Sequence, residues 1–482
     1  MRMRLVRMDS VRAWAESEFG SAELGDERRT RRLVQLAAEV ATRPAGTVTH
    51  ACASSASREG AFRLLENTAV RPEAVRGASL RATGQRCVGH SRVIVPVDAT
   101  ALTLTDEKQS KGLGAVGAWR QGARGLHVMS ALAVTDDGST LGLCAQRMWV
   151  RSQRSVHGDR HVAEQPSETD HWLQALLEAR STLAASAPAC RPWFQLDRGG
   201  DCWQVLALAH RLDLLLTVRA THDRRIEDRD ERLWAAVAGA PVIAKRRITV
   251  RARPPLRKNK RVGGKRRRVK VQIHREQARS AKVEIRAAKL PLVLVSRPGC
   301  PGFPATFHAV LVREVGRDKD DAIEWMLLTT HPIETRAQVL EVVRGYCLRW
   351  RVEEFHRVWK RGLCRVEDTQ LRSRDAIFKW ATLLAAVATR AMRLTQLART
   401  TPDAPATSEL SKMEIEALLA LRQPKGVTGS DAPSLAQAVR WLADLGGYTG
   451  PWNGPPGATV IGRGLHDVLI AARAFENRDK KR

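Results

Sequence analysis

The stretch from Thr335 to Gly362, TRAQVLEVVRGYCLRWRVEEFHRVWKRG, constrains the fold more than any other part of the chain. It has no proline, its one internal glycine is Gly345, and its apolar residues recur at helical spacing, so it predicts one long helix. Advancing about 100° per residue from Tyr346 brings Arg349, Glu353 and Lys360 into an arc about 60° wide. Leu348, Val352, Phe355 and Trp359 gather on a different face, the one expected to be buried. One carboxylate thus stands in a column with two fixed cations and a phenol. Such a column suits a metal-bound phosphodiester: the carboxylate helps hold the cation while Arg and Lys hold phosphate oxygens. The same charges also describe an ordinary solvated helix face with i,i+4 and i,i+7 pairs. Glu354 lies about 100° further round and is poorly placed for the same work.

Composition narrows the partners. Among 482 residues, 80 are Lys or Arg and 51 are Asp or Glu, a formal charge of +29. With no amphipathic anchor beside it, that imbalance points to nucleic acid rather than to an acidic membrane. No run of 18 apolar residues occurs, and MRMRLVRMDS lacks a hydrophobic signal core. The eight cysteines, at 52, 87, 144, 190, 202, 300, 347 and 364, form no CxxC and no Cys/His cluster. Free thiols in a reducing cytoplasm are therefore expected, rather than disulfides or zinc.

In chain order, residues 11–80 read as a small helical domain. Trp14–Phe19 opens a helix, Ser21–Asp26 turns, and Glu27–Ala41 forms a second helix carrying Arg28, Arg29, Arg31 and Arg32. A third helix, Ser57–Glu66, offers Arg58 and Arg63. An arginine-loaded helix of this kind suits a major groove, with its arginines divided between base edges and phosphates. Strands follow at Arg92–Asp98, 126–134 and 141–150, with a loop over Gly112–Gly125 that lacks a GxxxxGK pattern. A helix at 168–186, a strand Trp193–Leu196, a helix Asp201–His210 and a strand Asp213–Arg219 complete a mixed α/β sheet. Asp98 and Asp197 are expected at strand ends, where ligands of α/β sheets lie, although one such aspartate is commonly just a turn or cap residue. With Glu353 they make a triad of hard oxygen donors of the kind Mg²⁺ takes.

From Lys245 to Lys270 there are fourteen Lys or Arg and no acid, edged by alternating apolar segments. Residues 220–330 therefore read as a β-rich insertion whose basic loop, with Lys258 and Lys260, lies along a DNA backbone. A hydrophobic helix from Arg374 to Thr400 packs on the core, and helices near 409–422, 434–445 and 464–477 form a small bundle.

Tyr346-x2-Arg349-x3-Glu353-x6-Lys360 resembles the Tyr-Arg-Glu-Lys motif of bacterial cut-and-paste DDE transposases, in the insertion-sequence-four group that includes the transposon-five transposase. The similarity extends in collinear order through LGDERRTRRLVQLA, EGAFRLLEN, VIVPVDATAL, LDRGGD and WMLLTTHPIE, over roughly residues 11–400. Two departures leave the acids in place: Ala99 follows Asp98 where Thr is frequent, and Arg-Gly-Gly separates Asp197 from Asp201.

The resemblance implies an α/β, RNase H-like mixed-sheet catalytic core with a β-rich insertion, an N-terminal helical DNA-binding domain and a C-terminal helical domain. The boundaries it suggests are 1–80 for end binding, 81–219 and 331–400 for the core, 220–330 for the insertion and 401–482 for dimerisation. It implies Asp98, Asp197 and Glu353 as ligands of two Mg²⁺ ions, with Mn²⁺ able to substitute. Tyr346, Arg349 and Lys360 would contact phosphates near the cut, Trp325 would stack on a flipped base, and Arg219 matches a basic residue after the last core strand. The expected activity is end nicking, hairpin formation and opening, and 3′-OH transfer to target DNA. The expected partners are double-stranded DNA carrying terminal inverted repeats, target DNA and a second copy of the chain, in a bacterial, nucleoid-associated setting without a membrane. Two other readings stay open: a catalytically silent DNA-binding relative that acts as an inhibitor or domesticated binder, and a general basic nuclease.

Overall fold

The structure, a computed structural model, describes residues 10–117, 122–151, 166–227, 229–250, 259–262, 265–268, 279–295, 302–317, 322–423, 433–450 and 454–479. Contacts divide the chain into two units, Met1–Gln195 with Leu348–Arg482, and Leu196–Cys347. The fold is mixed α/β, with parallel and antiparallel pairing and many helices, consistent with an RNase H-like core accompanied by helical domains.

The first unit opens with helices α1 (Ser10–Phe19), α2 (Glu27–Thr42), α3 (Val48–Ala51), α4 (Ser55–Glu66) and α5 (Pro72–Arg86). Asp26 starts α2 by accepting the Arg28 amide at 2.8 Å, as an N-cap acid should. Leu33, Leu36, Ala37 and Val40 face inward and are essentially fully buried. Helix α5 is not foreseen from periodicity because its sequence, PEAVRGASLRATGQR, spreads small and polar residues around the axis. Its Gly84 is a packing residue: a Cβ there would collide with Ser186.

Strands β1 (Arg92–Thr103), β2 (Gly114–Ala115), β3 (Arg124–Val134) and β4 (Thr140–Trp149) follow, then α6 (Glu168–Ser186) and β5 (Arg191–Leu196). In the sheet β3 lies between β1 and β4, β2 pairs the far end of β3, and β5 neighbours β1. A capping box between Ser167 and Asp170 fixes the start of α6.

The second unit holds α7 (Trp203–Arg211), β6 (Leu215–Arg219), α8 (Leu233–Gly239), β7 (Val242–Val250), β8 (Asn259–Val262), β9 (Lys265–Arg268), β10 (Arg279–Leu294), β11 (Phe303–Glu314), β12 (Glu324–Thr329) and α9 (Arg336–Cys347). Its strands run in the order β6-β12-β11-β10-β7, and β8 and β9 form a separate two-stranded hairpin. The segment read as β-rich also contains α8, which packs on β10. Lys258 and Cys300 lie outside the described residues, and of Lys260 only the backbone, in β8, is described.

The chain then returns to the first unit with α10 (Trp350–Lys360), α11 (Arg374–Thr400), α12 (Lys412–Arg422), α13 (Leu435–Leu445) and α14 (Ala458–Asp479). Helix α11 is the spine of this unit, packing on α5, β4, α4, α10 and α14. Three consecutive residues on it act as a clasp. The Lys379 ammonium donates to the carbonyls of Leu65 and Asn67 at 2.7 and 2.9 Å, capping α4. The Trp380 indole donates to Gly46 O at 2.7 Å, and Ala381 O accepts the Trp359 indole of α10 at 3.0 Å. Among the described residues no helix is long and apolar enough to cross a membrane.

On the β3–β4 face, Trp149 is sandwiched between His127 and His171, with ring centroids 5.6 and 3.8 Å away. Burial, and after it the nearby Arg147, pushes the His171 imidazole down from 6.5 to about 4; burial and Arg151 likewise lower His127. The His171 ring therefore stays neutral in the fold down to about pH 4 while the unfolded chain protonates from pH 6.5 downward. The associated stability is fully present above pH 6.5 and is lost as pH falls toward 4. Denaturant unfolding at stepped pH should show a loss on the order of 1–3 kcal/mol over this range, and His171→Phe should flatten part of it.

Candidate active site

The predicted long helix is two helices. Arg351 N bonds Leu348 O at 3.0 Å and Val352 N bonds Arg349 O at 3.3 Å, so i→i+3 bonds tighten the chain between α9 and α10. Rotation counted from Tyr346 does not carry across that break. Within α10 the buried face is as expected: Val352, Phe355 and Trp359 are each 0 % exposed. Burying each such side chain is worth about 1.5–3 kcal/mol, which anchors α10 on β1, β3 and α11.

That anchoring sets the polar edge of α10 against β1. Asp98 does not end its strand, contrary to expectation. Ala99 to Thr103 continue to pair with Met129 to Gly125 of β3, and Asp98 stands mid-strand opposite Ser130. Its Oδ1 accepts its neighbour Ala99's amide at 2.8 Å. The Arg349 guanidinium, 7 % exposed, reaches both acids: Nη2 is 2.5 Å from Glu353 Oε1 and Nη1 is 3.9 Å from Asp98 Oδ2. It also lies over the ring of Trp350, 5.2 Å from the centroid, and that indole is exposed. Glu354 turns away and pairs with Arg351 at 2.9 Å in a partly buried bridge.

Lys360, at the other end of α10, donates to Thr100 Oγ1 at 3.2 Å and Ala101 O at 2.5 Å. Behind Asp98, His356 Nε2 lies 3.2 Å from Ser130 Oγ. Burial, then Lys360, holds its imidazole down at about 3, so it is a neutral packing group at any ordinary pH.

In the second unit Asp197 directly follows β5 and caps a 3-10 turn, Arg198–Gly200, through the Gly199 amide at 2.8 Å. Asp201, four residues on, is a buried brace: it pairs with Arg224 at 2.6 Å and accepts the amides of Thr221 and His222. Half-buried Trp325 on β12 meets the buried Tyr346 edge-on, with ring centroids 5.4 Å apart. Arg219 ends β6 and donates to Glu324 O at 2.9 Å.

The donor set suits a hard divalent cation. Asp98 and Glu353 are partly open carboxylates, 18 % and 35 % exposed, drawn to a single positive charge. Among the described residues, however, no group of three or more His, Cys, Asp or Glu is arranged to hold a metal ion. In the first unit the guanidinium stands between the two acids instead. Arg349→Ala leaves those carboxylates facing one another without it, and should cost about 3 kcal/mol in denaturant unfolding without divalent cations.

The arginines of the helical region separate by geometry. Arg29 donates to Leu24 O at 2.9 Å and Arg32 to Ser57 O at 2.5 Å, with Glu39 3.8 Å away, so both brace the helices. Arg28 is exposed, exposed Arg63 pairs with Glu59 on its own helix, and Arg58 is half-exposed. Arg32→Ala should therefore lower stability in denaturant unfolding, whereas Arg28→Ala should leave it unchanged.

Residues 11–70 match the family described as Transposase DNA-binding, and residues 89–390 match the family described as Transposase DDE domain. The second match covers well over half of the chain and includes Asp98, Asp197, Tyr346, Arg349, Glu353 and Lys360. The chain belongs to the DDE transposase family and carries that family's DNA-binding region ahead of its DDE domain.

Proposed function

We propose that this transposase performs cut-and-paste transposition of a bacterial insertion sequence, as its Tyr-Arg-Glu-Lys motif suggests. The observation that carries the reading is the single guanidinium shared by Asp98 and Glu353 on β1 and α10. Two carboxylates converging on one buried cation are what a divalent-metal phosphodiester site needs from its protein.

Asp98, Glu353 and Asp197 are the residues that would hold the metal, Mg²⁺ or in its place Mn²⁺. Two such ions, when bound, lower the pKa of an attacking water or 3′-OH and stabilise the departing 3′ oxygen. The chain's own cations do the rest. Arg349 and Lys360 neutralise the charge that builds on the phosphate oxygens, each as a charge-assisted donor. Tyr346 contributes a phenolic hydroxyl to a neighbouring phosphate. Trp325 offers an aromatic face to a displaced base, worth about 1–3 kcal/mol, which offsets part of the cost of bending DNA into a hairpin. Arg219 and the basic run around Lys258 and Lys260 bind the backbone. The helical region with Arg28, Arg58 and Arg63 reads terminal inverted repeats, two copies of the chain pair the ends, and the setting is the bacterial cytoplasm.

The test is cleavage of DNA carrying the element's own ends. The wild type should nick and then cut in Mg²⁺, EDTA should stop the reaction, and Asp197→Ala should lower the rate by at least about a thousandfold. Equal product from wild type and variant would support a DNA binder without catalysis. Cutting that ignores the end sequence would point to a general nuclease.

A further inference from the structure

Lys360 is useful to a phosphate only if its four-carbon side chain holds the ammonium in one place. Fixing such a chain costs rotamer entropy, and a site that fixes it beforehand removes that cost from the binding step. The surroundings of Lys360 show how this is done.

After α10 the chain reverses. Cys364 and Val366 are fully buried, and Cys364 Sγ contacts Leu384 O at 3.3 Å. Arg365 between them takes the left-handed conformation, φ 51°. This turn delivers a short 3-10 segment, Val366–Asp368, and points Glu367 back under the end of α10. The Glu367 side chain is 10 % exposed. Its Oε1 accepts the amide of Thr103, the last residue of β1, at 3.0 Å and lies 3.6 Å from the Lys360 ammonium. Its Oε2 accepts Arg361 Nε at 2.8 Å.

We propose that Glu367 is a positioning residue for Lys360, fixing the ammonium against β1 on the side of Asp98. The strand supplies the registration. Thr100 follows Asp98 by two residues, so the two side chains share a face of β1 about 7 Å apart. Thr100 Oγ1 and Ala101 O take two of the three ammonium donors, and Glu367 supplies the charge that holds the group there. The carboxylate also ties down the end of β1, so one side chain registers the cation against the strand that carries the acid. This inference rests on the assignment of Lys360 to a phosphate made above.

Two measurements separate this role from a merely structural one. The first needs no catalysis: competitive acetylation of the whole chain, read by peptide mass spectrometry. Lys412, 81 % exposed, is the internal reference. Glu367→Gln keeps an acceptor for the Thr103 amide but removes the charge, and should raise the reactivity of Lys360 relative to Lys412 about fivefold. Unchanged reactivity overturns the proposal. The second is a double-mutant cycle in single-turnover cleavage of DNA ends. Glu367→Gln should slow cutting about tenfold in the wild-type background and by less than about twofold in Lys360→Ala, because its effect passes through that lysine. Equal losses in both backgrounds would mean that Glu367 merely braces β1, and overturn the proposal. If Glu367→Gln does not fold, Glu367→Asp enters the same cycle. A wild type that makes no cut, or a Lys360→Ala variant that cuts normally, sinks the assignment of Lys360 itself, while the acetylation result still decides whether Glu367 holds it.

Discussion

Two ionised carboxylates brought together at a partly buried site repel one another unless a cation lies between them. Asp98 and Glu353 meet that constraint through Arg349, whose guanidinium is nearly buried and reaches both. Much of the surrounding architecture serves this triplet. Helix α10 can present Arg349 and Glu353 at i,i+4 only because Val352, Phe355 and Trp359 pin its opposite face. Strand β1 can present Asp98 in mid-strand because β3 pairs with it on both sides of that residue. The charge triplet is costly to build and is held by apolar packing it does not itself provide.

Most elements are legible in the sequence where local signals agree. The helix expected at about 168–186 is found as α6, whose start is fixed by the Ser167 and Asp170 capping box. The features that go unread are those decided by distant contacts. The chain between Cys347 and Trp350 loses its α-helical ladder although the sequence keeps a helical spacing of apolar residues, so periodicity cannot see the break. Strand β1 runs on past Asp98 through Ala-Thr-Ala-Leu-Thr, a stretch whose extension depends on pairing with β3. Helix α5 is set by packing around Gly84 rather than by an amphipathic pattern.

The candidate site divides in the same way. Arg349, Glu353 and Lys360 stand out as a column from spacing alone, and their surroundings bear on one strand. Glu367 carries no such mark: it sits in a turn without periodicity, and only the reversal after α10 brings it to Lys360. Among the arginines the limit is similar. Arg28, Arg29, Arg31 and Arg32 look alike in sequence, yet Arg29 and Arg32 are spent on carbonyls of their own unit. A charge count does not distinguish a brace from a contact surface.

The clasp on α11 ties together the two regions to which the proposed function assigns recognition and cutting. Lys379 holds the end of α4, Trp380 holds the turn that follows α2, and Ala381 holds α10, which carries Glu353. Neither region hangs from a linker; both are referred to one turn of a single rod. If the outward arginines read DNA and Asp98 and Glu353 hold the metal, as proposed above, the span between the two is a fixed length in the protein, a gauge rather than a tether. On that proposal, an insertion into the DNA between those two points would leave each contact intact in isolation and still put the wrong phosphate under the acids.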